Sequence, residues 1–379
     1  MTRGRLLIFI GVLFIVSAIL HVMPLWIVVL APIWSTPVKV AGIVILCVGA
    51  LAMPILMIFG HGQKRDLPAL IGDVWLGAVW QFFVWSVICE FVGFIAWAFG
   101  ADHGARERYV ALACVVIVAG LLAGGAITAL GRVGIRHVTI RLDRLPQEFD
   151  GRTIAHITDT HLSLALGERW MTRIVQQVNS LSPDIVCHTG DLADGDVARR
   201  TDAVSALGEI RAPLGRFYIT GNHEYLSDAA YWVAHMRKLG WTVLQNAHAM
   251  VRIGEANLAM VGINDLTAPG NDAASDRPDI DKAVQGIPAG TRTVLLAHQP
   301  KQVRDAVHQE LDLQLSGHTH GGQIWPFHYL VRAEQGALSG LSRPGPSTQL
   351  YISRGTGFWG PPFRIGAPPE IALITLRRA

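Results

Sequence analysis

Residues 311–323 read Leu-Asp-Leu-Gln-Leu-Ser-Gly-His-Thr-His-Gly-Gly-Gln. Leu311–Ser316 reads as a strand, and Gly317-His318-Thr319-His320 follows it at once, presenting two imidazoles. The same event recurs toward the N-terminus. Thr293–Ala297 reads as a strand and ends in His298. Arg216–Thr220 ends in Gly221-Asn222-His223-Glu224, and Asp184–Thr189 ends in Gly190-Asp191. Arg152–Thr158 ends in Asp159-Thr160-His161; a strand at His137–Leu142 precedes it, and a helix is expected from about Glu168 to Leu181.

Open α/β sheets gather ligands beyond the carboxyl ends of their strands. Segments distant in sequence therefore converge on one rim. The candidate metal ligands are Asp159, His161, Asp191, Asn222, His298, His318 and His320. They offer oxygen and imidazole nitrogen but no thiolate, a set suited to Mn, Fe or Zn. Seven ligands exceed the needs of one ordinary metal and suit two divalent ions that share a carboxylate. Gly190, Gly221 and Gly317 serve as turn residues and equally allow backbone to approach a phosphate.

In order, the motifs Asp-x-His, Gly-Asp, Gly-Asn-His-Glu, His and Gly-His-Thr-His resemble the calcineurin-like metallophosphoesterases, over roughly residues 137–379. Each motif alone is common, but the ordered set, each after a strand, is specific. The resemblance is nearer to a membrane-anchored bacterial branch. It is carried by Ser316–Gln323, Ser-Arg-Gly-x-Gly at Ser353–Gly357, Pro-x-Arg at Pro362–Arg364 and Pro-Glu-Ile at Pro369–Ile371. This branch is similar to phosphohydrolases of the UDP-2,3-diacylglucosamine pyrophosphatase type, a link to lipid A biosynthesis.

The resemblance implies a two-sheet α/β sandwich. It implies a first metal on Asp159, His161, Asp191 and His320, and a second on Asp191, Asn222, His298 and His318, with Asp191 bridging. It implies that His223 is catalytic, giving a proton to the leaving oxygen or steadying the transition state. Glu224 is read as orienting an imidazole or as an ordinary loop salt bridge. The substrate-binding residues stay open.

Other residues take plainer readings. His156 and His188 lie within strands and are expected to be buried in the sheet, and His235, His248, His308 and His328 have no motif support. Arg354 and Arg364 suit phosphate or a structural C-terminal role. Asn271–Asp281 reads as a solvated acidic loop. Trp325-Pro326-Phe327 and Phe358-Trp359 are expected to pack on the domain's own core, with contact to lipid or substrate as the alternative.

The N-terminal third differs in kind. Apolar runs at about Leu6–Ala31, Val40–Gly60, Trp75–Phe99 and Tyr109–Leu130 are each long enough to cross a bilayer core of roughly 30 Å. Arg3 and Arg5 ahead of the first run resemble a signal peptide, but the run continues past His21 and Pro24 without a small-residue cleavage site, so a retained helix is expected. Lys64 and Arg65, and Arg132, Arg136, Arg141 and Arg144, lie on the same side as the N-terminus if all four runs span. The positive-inside rule then places both ends, and the catalytic half, in the cytoplasm of a multi-pass bacterial inner-membrane protein. Asp73 is expected at the membrane interface and Glu90 deeper, with no paired charges in this half.

The expected organisation is 1–132 as a transmembrane domain of about four helices and 133–379 as the phosphoesterase domain. A hydrophobic fraction of 51% with 16% charged residues excludes an ordinary soluble chain. A net charge of +3, without a basic stripe, speaks against nucleic acid as a partner and ranks a nuclease low. Cys47, Cys89, Cys114 and Cys187 form no CxxC pair and read as free thiols. The expected partners are the lipid bilayer and a phosphorylated substrate, with the oligomeric state open. The alternatives are a catalytically silent membrane-tethered binding module, or a transporter with a regulatory phosphoesterase domain.

Overall fold

The computed structural model describes residues 3–100, 102–270 and 276–379. The chain packs as two compact units, Met1–Ile127 with Gly360–Ile365, and Thr128–Trp359 with Gly366–Ala379.

The first unit is built on four helices long and apolar enough to cross a membrane. They are α1 (Arg3–Pro24), α2 (Thr36–Gly62), α3 (Asp66–Ala98) and α4 (His103–Leu130). Pro24 lacks an N–H and its ring disturbs the α-helical ladder; the chain continues from it as a π-helical stretch, Leu25–Leu30. Helix α3 starts nine residues before the apolar run read at Trp75, because its first turns carry Asp66 and Asp73, which hydropathy discounts. Glycine lets α2 and α3 approach closely: a Cβ on Gly60 would stand 2.3 Å from the Ala69 backbone nitrogen.

Among the described residues, two carboxylates meet a basic side chain of a neighbouring helix, where the sequence shows no paired charges. Asp73 is buried and stands 2.9 Å from His61 of α2, and Glu90 of α3 pairs with Arg106 of α4. The partners are 12 and 16 residues apart. Helix-to-helix packing, which sequence spacing does not display, brings them together. Gly360–Ile365 packs with the same helices. Phe363 and Pro361 lie over Gly77, and the Arg364 N–H donates to the Gly125 carbonyl at 3.0 Å.

In the second unit, twelve strands among the described residues form two six-stranded sheets. In chain order they are β1 (Gly134–Leu142), β2 (Thr153–Ile157), β3 (Ile185–His188), β4 (Arg216–Tyr218), β5 (Thr242–Val243), β6 (Ala247–Ile253), β7 (Ala256–Gly262), β8 (Arg292–Leu296), β9 (Leu313–Ser316), β10 (Gly340–Ser342), β11 (Gln349–Ile352) and β12 (Glu370–Arg378). One sheet has the order β1-β12-β2-β3-β4-β5 and the other β10-β11-β9-β8-β7-β6. Strands β2 to β5 run parallel, as do β7, β8, β9 and β11. The C-terminal β12 lies between β1 and β2, parallel to the first and antiparallel to the second.

Strand side chains alternate between faces. Ile185 and Cys187, Phe217 and Ile219, Val294 and Leu296, and Leu313 and Leu315 meet in one buried layer between the sheets. Val186 and Tyr218 face the other way, toward α5 (Glu168–Ser180) and α6 (Val197–Ser205), where Met171, Ile174 and Val204 cover them. The expected two-sheet α/β sandwich behind a helical N-terminal segment is therefore present. Of the polar loop read at Asn271–Asp281, residues 271–275 lie outside the described residues.

Candidate metal centre

Parallel strands put their carboxyl ends on one edge, and here two sheets share it. Asp159 and His161 follow β2, Asp191 follows β3, and Asn222 follows β4, opening α7 (Asn222–Ser227). From the other sheet, His298 follows β8, and His318 and His320 follow β9. The fold brings all seven sequence-derived ligands into one cluster.

The cluster has two lobes, Asp159 with His161 and His320, and Asp191 with His298 and His318. In the first, His161 Nε2 lies 3.0 Å from His320 Nε2, which is 3.5 Å from Asp159 Oδ1. In the second, His298 Nε2 lies 3.2 Å from both Asp191 Oδ2 and His318 Nδ1. Asn222 Oδ1 stands 3.1 Å from His298 Nε2 and 3.0 Å from His318 Nδ1. Asp191 Oδ2 is also 3.5 Å from His161 Nε2, so one carboxylate oxygen reaches both lobes.

The backbone is bent to achieve this. Asp159, His161, Asp191, His318 and His320 have φ between 41° and 67°. Non-glycine residues seldom adopt that region, and such strain, about 1–3 kcal/mol per residue, clusters at functional sites. Glycine is required beside the carboxylates. A Cβ on Gly317 would stand 2.1 Å from Asp159 Oδ2, and one on Gly221 2.3 Å from Asp191 Oδ1.

Second contacts fix which imidazole nitrogen faces inward. His298 Nδ1 lies 2.8 Å from the Thr189 carbonyl oxygen, and His161 Nδ1 3.1 Å from the Asp194 carboxylate. Each ring thereby presents Nε2 to the cluster. Two carboxylates, an amide oxygen and four imidazoles converge with no lysine or arginine among them. Donor lone pairs 3.0–3.5 Å apart fit divalent cations of the Mn, Fe and Zn kind. Burial works against ionising Asp191, yet the imidazoles of His298, His223 and His161 outweigh it and hold the carboxyl well below the usual range. Burial, with His298 beside it, pushes His318 down to about 4, which keeps it in the neutral form a ligand needs.

His223 sits next to Asn222 with its ring centroid 4.5 Å from that of His161. Its Nδ1 is 2.6 Å from Asp194 Oδ1. Burial opposes protonation of His223, but Asp191 and Asp194 overcome it and raise the imidazole to about 9. Asp194 is the residue of the cluster that the sequence reading missed. It stands three positions after Asp191, and that spacing was the available signal.

The structure corrects the reading of Glu224. It is fully buried, and its carboxylate accepts backbone N–H groups, from Asp191 at 3.0 Å, Leu192 at 2.7 Å and Gly221 at 2.5 Å. It clamps the loop that carries Asp191. His156 and His188 are buried in the sheet as expected, the first beside Thr189 Oγ1 and the second beside Thr160 Oγ1. Arg354 faces Glu370 at 3.8 Å, and Arg364 is buried in the segment packed with the helices. Phe358 joins the core as expected, but Trp359 and Phe327 stay 47% and 41% exposed. The backbone of Trp359 is tied to Gln323, which turns its ring toward His223 and away from the core.

A two-sheet α/β sandwich with this histidine–carboxylate cluster on its common rim defines a metallophosphoesterase. The calcineurin-like phosphoesterase family profile matches residues 152–322. A "transmembrane protein with metallophosphoesterase domain" from Danio rerio is 34% identical over 74% of this chain and 64% of its own length. An "uncharacterized metallophosphoesterase" from Helicobacter pylori strain J99 is 34% identical over 78% of this chain and 82% of its own. A Bos taurus transmembrane protein with the same domain name is 30% identical over 85% of this chain and 77% of its own. The chain belongs to the calcineurin-like phosphoesterase family, and by family it is a metal-dependent phosphoester hydrolase; four of its helices are long and apolar enough to cross a membrane.

Proposed function

We propose that this chain is a membrane-anchored, dinuclear phosphohydrolase that cleaves a phosphoester or pyrophosphate bond of a lipid-linked substrate. Residues 1–132 are the anchor and 133–379 the catalytic part. The first ion is held by Asp159, His161, Asp191 and His320, and the second by Asp191, Asn222, His298 and His318. The observation that carries the reading is the reach of Asp191 Oδ2 to both His161 and His298.

When bound, two divalent ions acidify a water and neutralise charge on the phosphoryl oxygens. The residues of the chain do the rest. Asp194 anchors Nδ1 of His223, which leaves Nε2 to carry the proton to the leaving oxygen. Such help is worth about 10²–10⁴ in rate. Glu224 holds the backbone of the Asp191 loop, so the carboxylate that would hold both ions is fixed in place beforehand.

The substrate reading rests on position and resemblance. The anchor tethers the catalytic part to a membrane, and the Ser316–Gln323 motif is similar to that of the UDP-2,3-diacylglucosamine pyrophosphatase type. Manganese is our first choice of native metal, and the cytoplasmic face of a bacterial inner membrane our assignment of side. The test is hydrolysis by the full chain of p-nitrophenyl phosphate, its bis-ester and a UDP-diacylglucosamine-type pyrophosphate, with Mn added or chelated. We expect Mn-dependent turnover with preference for the lipid pyrophosphate. A metal-loaded chain that hydrolyses none of them would sink the reading.

A further inference from the structure

The second unit carries a concave site at the edge of the sandwich opposite the metal centre. Strands β8, β9 and β11 run parallel, so the edge that carries His298 and His318 is not the edge where these strands begin. At those beginnings lies a cavity of about 320 Å³, its open mouth included. Its lining includes four arginines, Arg141, Arg144, Arg292 and Arg343, and two aspartates, Asp143 and Asp312. Arg292 precedes His298 by six residues and Asp312 precedes His318 by six, which puts about 20 Å of strand between the two sites.

The floor of the cavity is buried. Arg292 Nη1 donates to Asp312 Oδ1 at 2.7 Å, and the two side chains are 11% and 9% exposed. Asp312 also accepts the Thr293 N–H at 2.8 Å and the Thr293 hydroxyl at 3.0 Å. Arg152, Thr153 and Asp184 make the same three contacts where β2 and β3 begin. The Arg292–Asp312 pair therefore serves the sandwich, as a clamp on strand starts. Three arginines remain, Arg141, Arg144 and Arg343, against the single carboxylate of Asp143. Their backbones are held in place. Gln349 Nε2 donates to the Arg141 carbonyl at 2.6 Å. The Leu145 N–H closes a turn onto the Leu142 carbonyl at 3.4 Å, and both leucines are buried, which holds Asp143 and Arg144 at its tip. Arg343 and Ser347 flank Pro344-Gly345-Pro346, whose prolines restrict the backbone. A Cβ on Gly345 would meet Val307 at 3.0 Å, so this turn rests on the domain.

We propose that this cavity binds a phosphate-bearing ligand, at a site separate from the metal centre and independent of the reaction proposed above. Three guanidinium groups against one carboxylate leave two positive charges in excess, which matches a phosphate dianion. The guanidinium fork pairs bidentately with phosphate oxygens. A carboxylate ligand has two oxygens and satisfies one fork. A phosphate monoester has three free oxygens, which suit several forks and the Ser347 hydroxyl of the same lining. Arginine stays charged at every physiological pH, so occupancy follows ligand concentration and not protonation of the protein. The volume stands at the small end of ligand sites, which suits the phosphate and the few atoms next to it. A phosphorylated lipid headgroup and a soluble phosphate ester share this chemistry.

The test is calorimetric titration of the full chain in detergent with glycerol 3-phosphate and with dihexanoyl phosphatidic acid. Chelator is present, so that neither probe is held or hydrolysed at the metal centre. The double variant Arg144→Gln with Arg343→Gln is compared with Arg169→Gln with Arg173→Gln, which removes the same charge from two exposed arginines of α5. We expect the cavity variant to weaken binding at least tenfold and the α5 variant less than twofold, with unfolding midpoints unchanged. Arg343→Lys, which keeps the charge and loses the fork, should fall between the parent chain and the cavity variant. Given that loss, tenfold tighter binding of phosphatidic acid assigns the site to a lipid headgroup, and equal affinity for the two probes assigns it to soluble esters. A loss no larger than in the α5 variant, or no saturable binding of either probe to the parent chain, overturns the site.

Discussion

Asp194 Oδ1 lies 2.6 Å from Nδ1 of His223, and the same carboxylate lies 3.1 Å from Nδ1 of His161. One side chain therefore aligns the candidate proton donor and a candidate metal ligand. Asp194→Asn keeps the shape and removes the charge that both imidazoles use. We expect kcat to fall by about 10²-fold, within the range that general-acid help supplies, and metal affinity by about 10- to 100-fold, as for other groups that orient a ligand. Steady-state kinetics under metal titration separates the two effects. Unchanged kcat at saturating metal would contradict the assignment.

The proton-donor role proposed for His223 requires its protonated form. Asp191 and Asp194 raise it against burial to about 9, so the donor keeps its proton through neutral pH and loses it as pH rises past that value. We expect kcat/KM to fall about tenfold per pH unit above about 9. His223→Asn should abolish that limb, and Asp194→Asn should move it to lower pH. A profile flat to pH 10.5 with intact metal binding would rule out this donor.

Gly317 tests the close approach of backbone to carboxylate. A Cβ there meets Asp159 Oδ2 at 2.1 Å and Thr158 Oγ1 at 2.3 Å. Gly317→Ala should destabilise by about 1–3 kcal/mol, the usual range for overpacking, and lower metal content. Gly167→Ala, with nothing within 4 Å of the added Cβ, changes only the N-cap of α5 and should cost about 1 kcal/mol or less with metal content unchanged. Thermal unfolding with metal analysis of both variants decides.

Acid should cost the sandwich stability through its buried histidines, while the buried Glu224 carboxyl, raised to about 7 by burial and by Asp191 beside it, works in the opposite direction. Burial lowers His156 to about 3, and burial with His156 as a neighbour lowers His188 to about 3. In the unfolded chain both return to about 6.5. Below pH 6.5 the unfolded state binds protons that the folded state refuses, so stability is present above 6.5 and lost as pH falls. Each histidine contributes about 1.4 kcal/mol per pH unit in that window. His223 and His298 are raised and add no slope there, since both states already carry those protons. His318, lowered to about 4, adds to the same loss. Thermal unfolding of the wild type and His156→Gln between pH 7 and pH 5 isolates the His156 share: the variant should lose less stability across that window than the wild type, and an equal loss would contradict it.

The clustering of the seven candidate ligands was legible in the sequence because each sits within a few residues of a strand end, so local pattern carried them. Asp194 was not legible. Its value lies in reaching His161 and His223, 33 and 29 residues away, and on its own it reads as a loop acid. Glu224 failed for the opposite reason, since its neighbours in sequence are imidazoles while its partners in space are backbone N–H groups. Strand β12 reads Glu-Ile-Ala-Leu-Ile-Thr-Leu-Arg-Arg, buried on both faces for most of its length. A strand covered on both sides shows no alternation to find. The hairpin of β6 and β7 carries no ligand at its ends and so gave no chemical marker.

The most direct measurement is the metal stoichiometry of the purified full chain, determined beside the Asp191→Asn variant together with Mn-dependent turnover. We expect two ions per wild-type chain. We expect the second lost and the first weakened in Asp191→Asn, with turnover reduced by at least 10³-fold. A single ion in the wild type, or two ions and undiminished turnover in Asp191→Asn, would contradict a centre built on a carboxylate shared between His161 and His298.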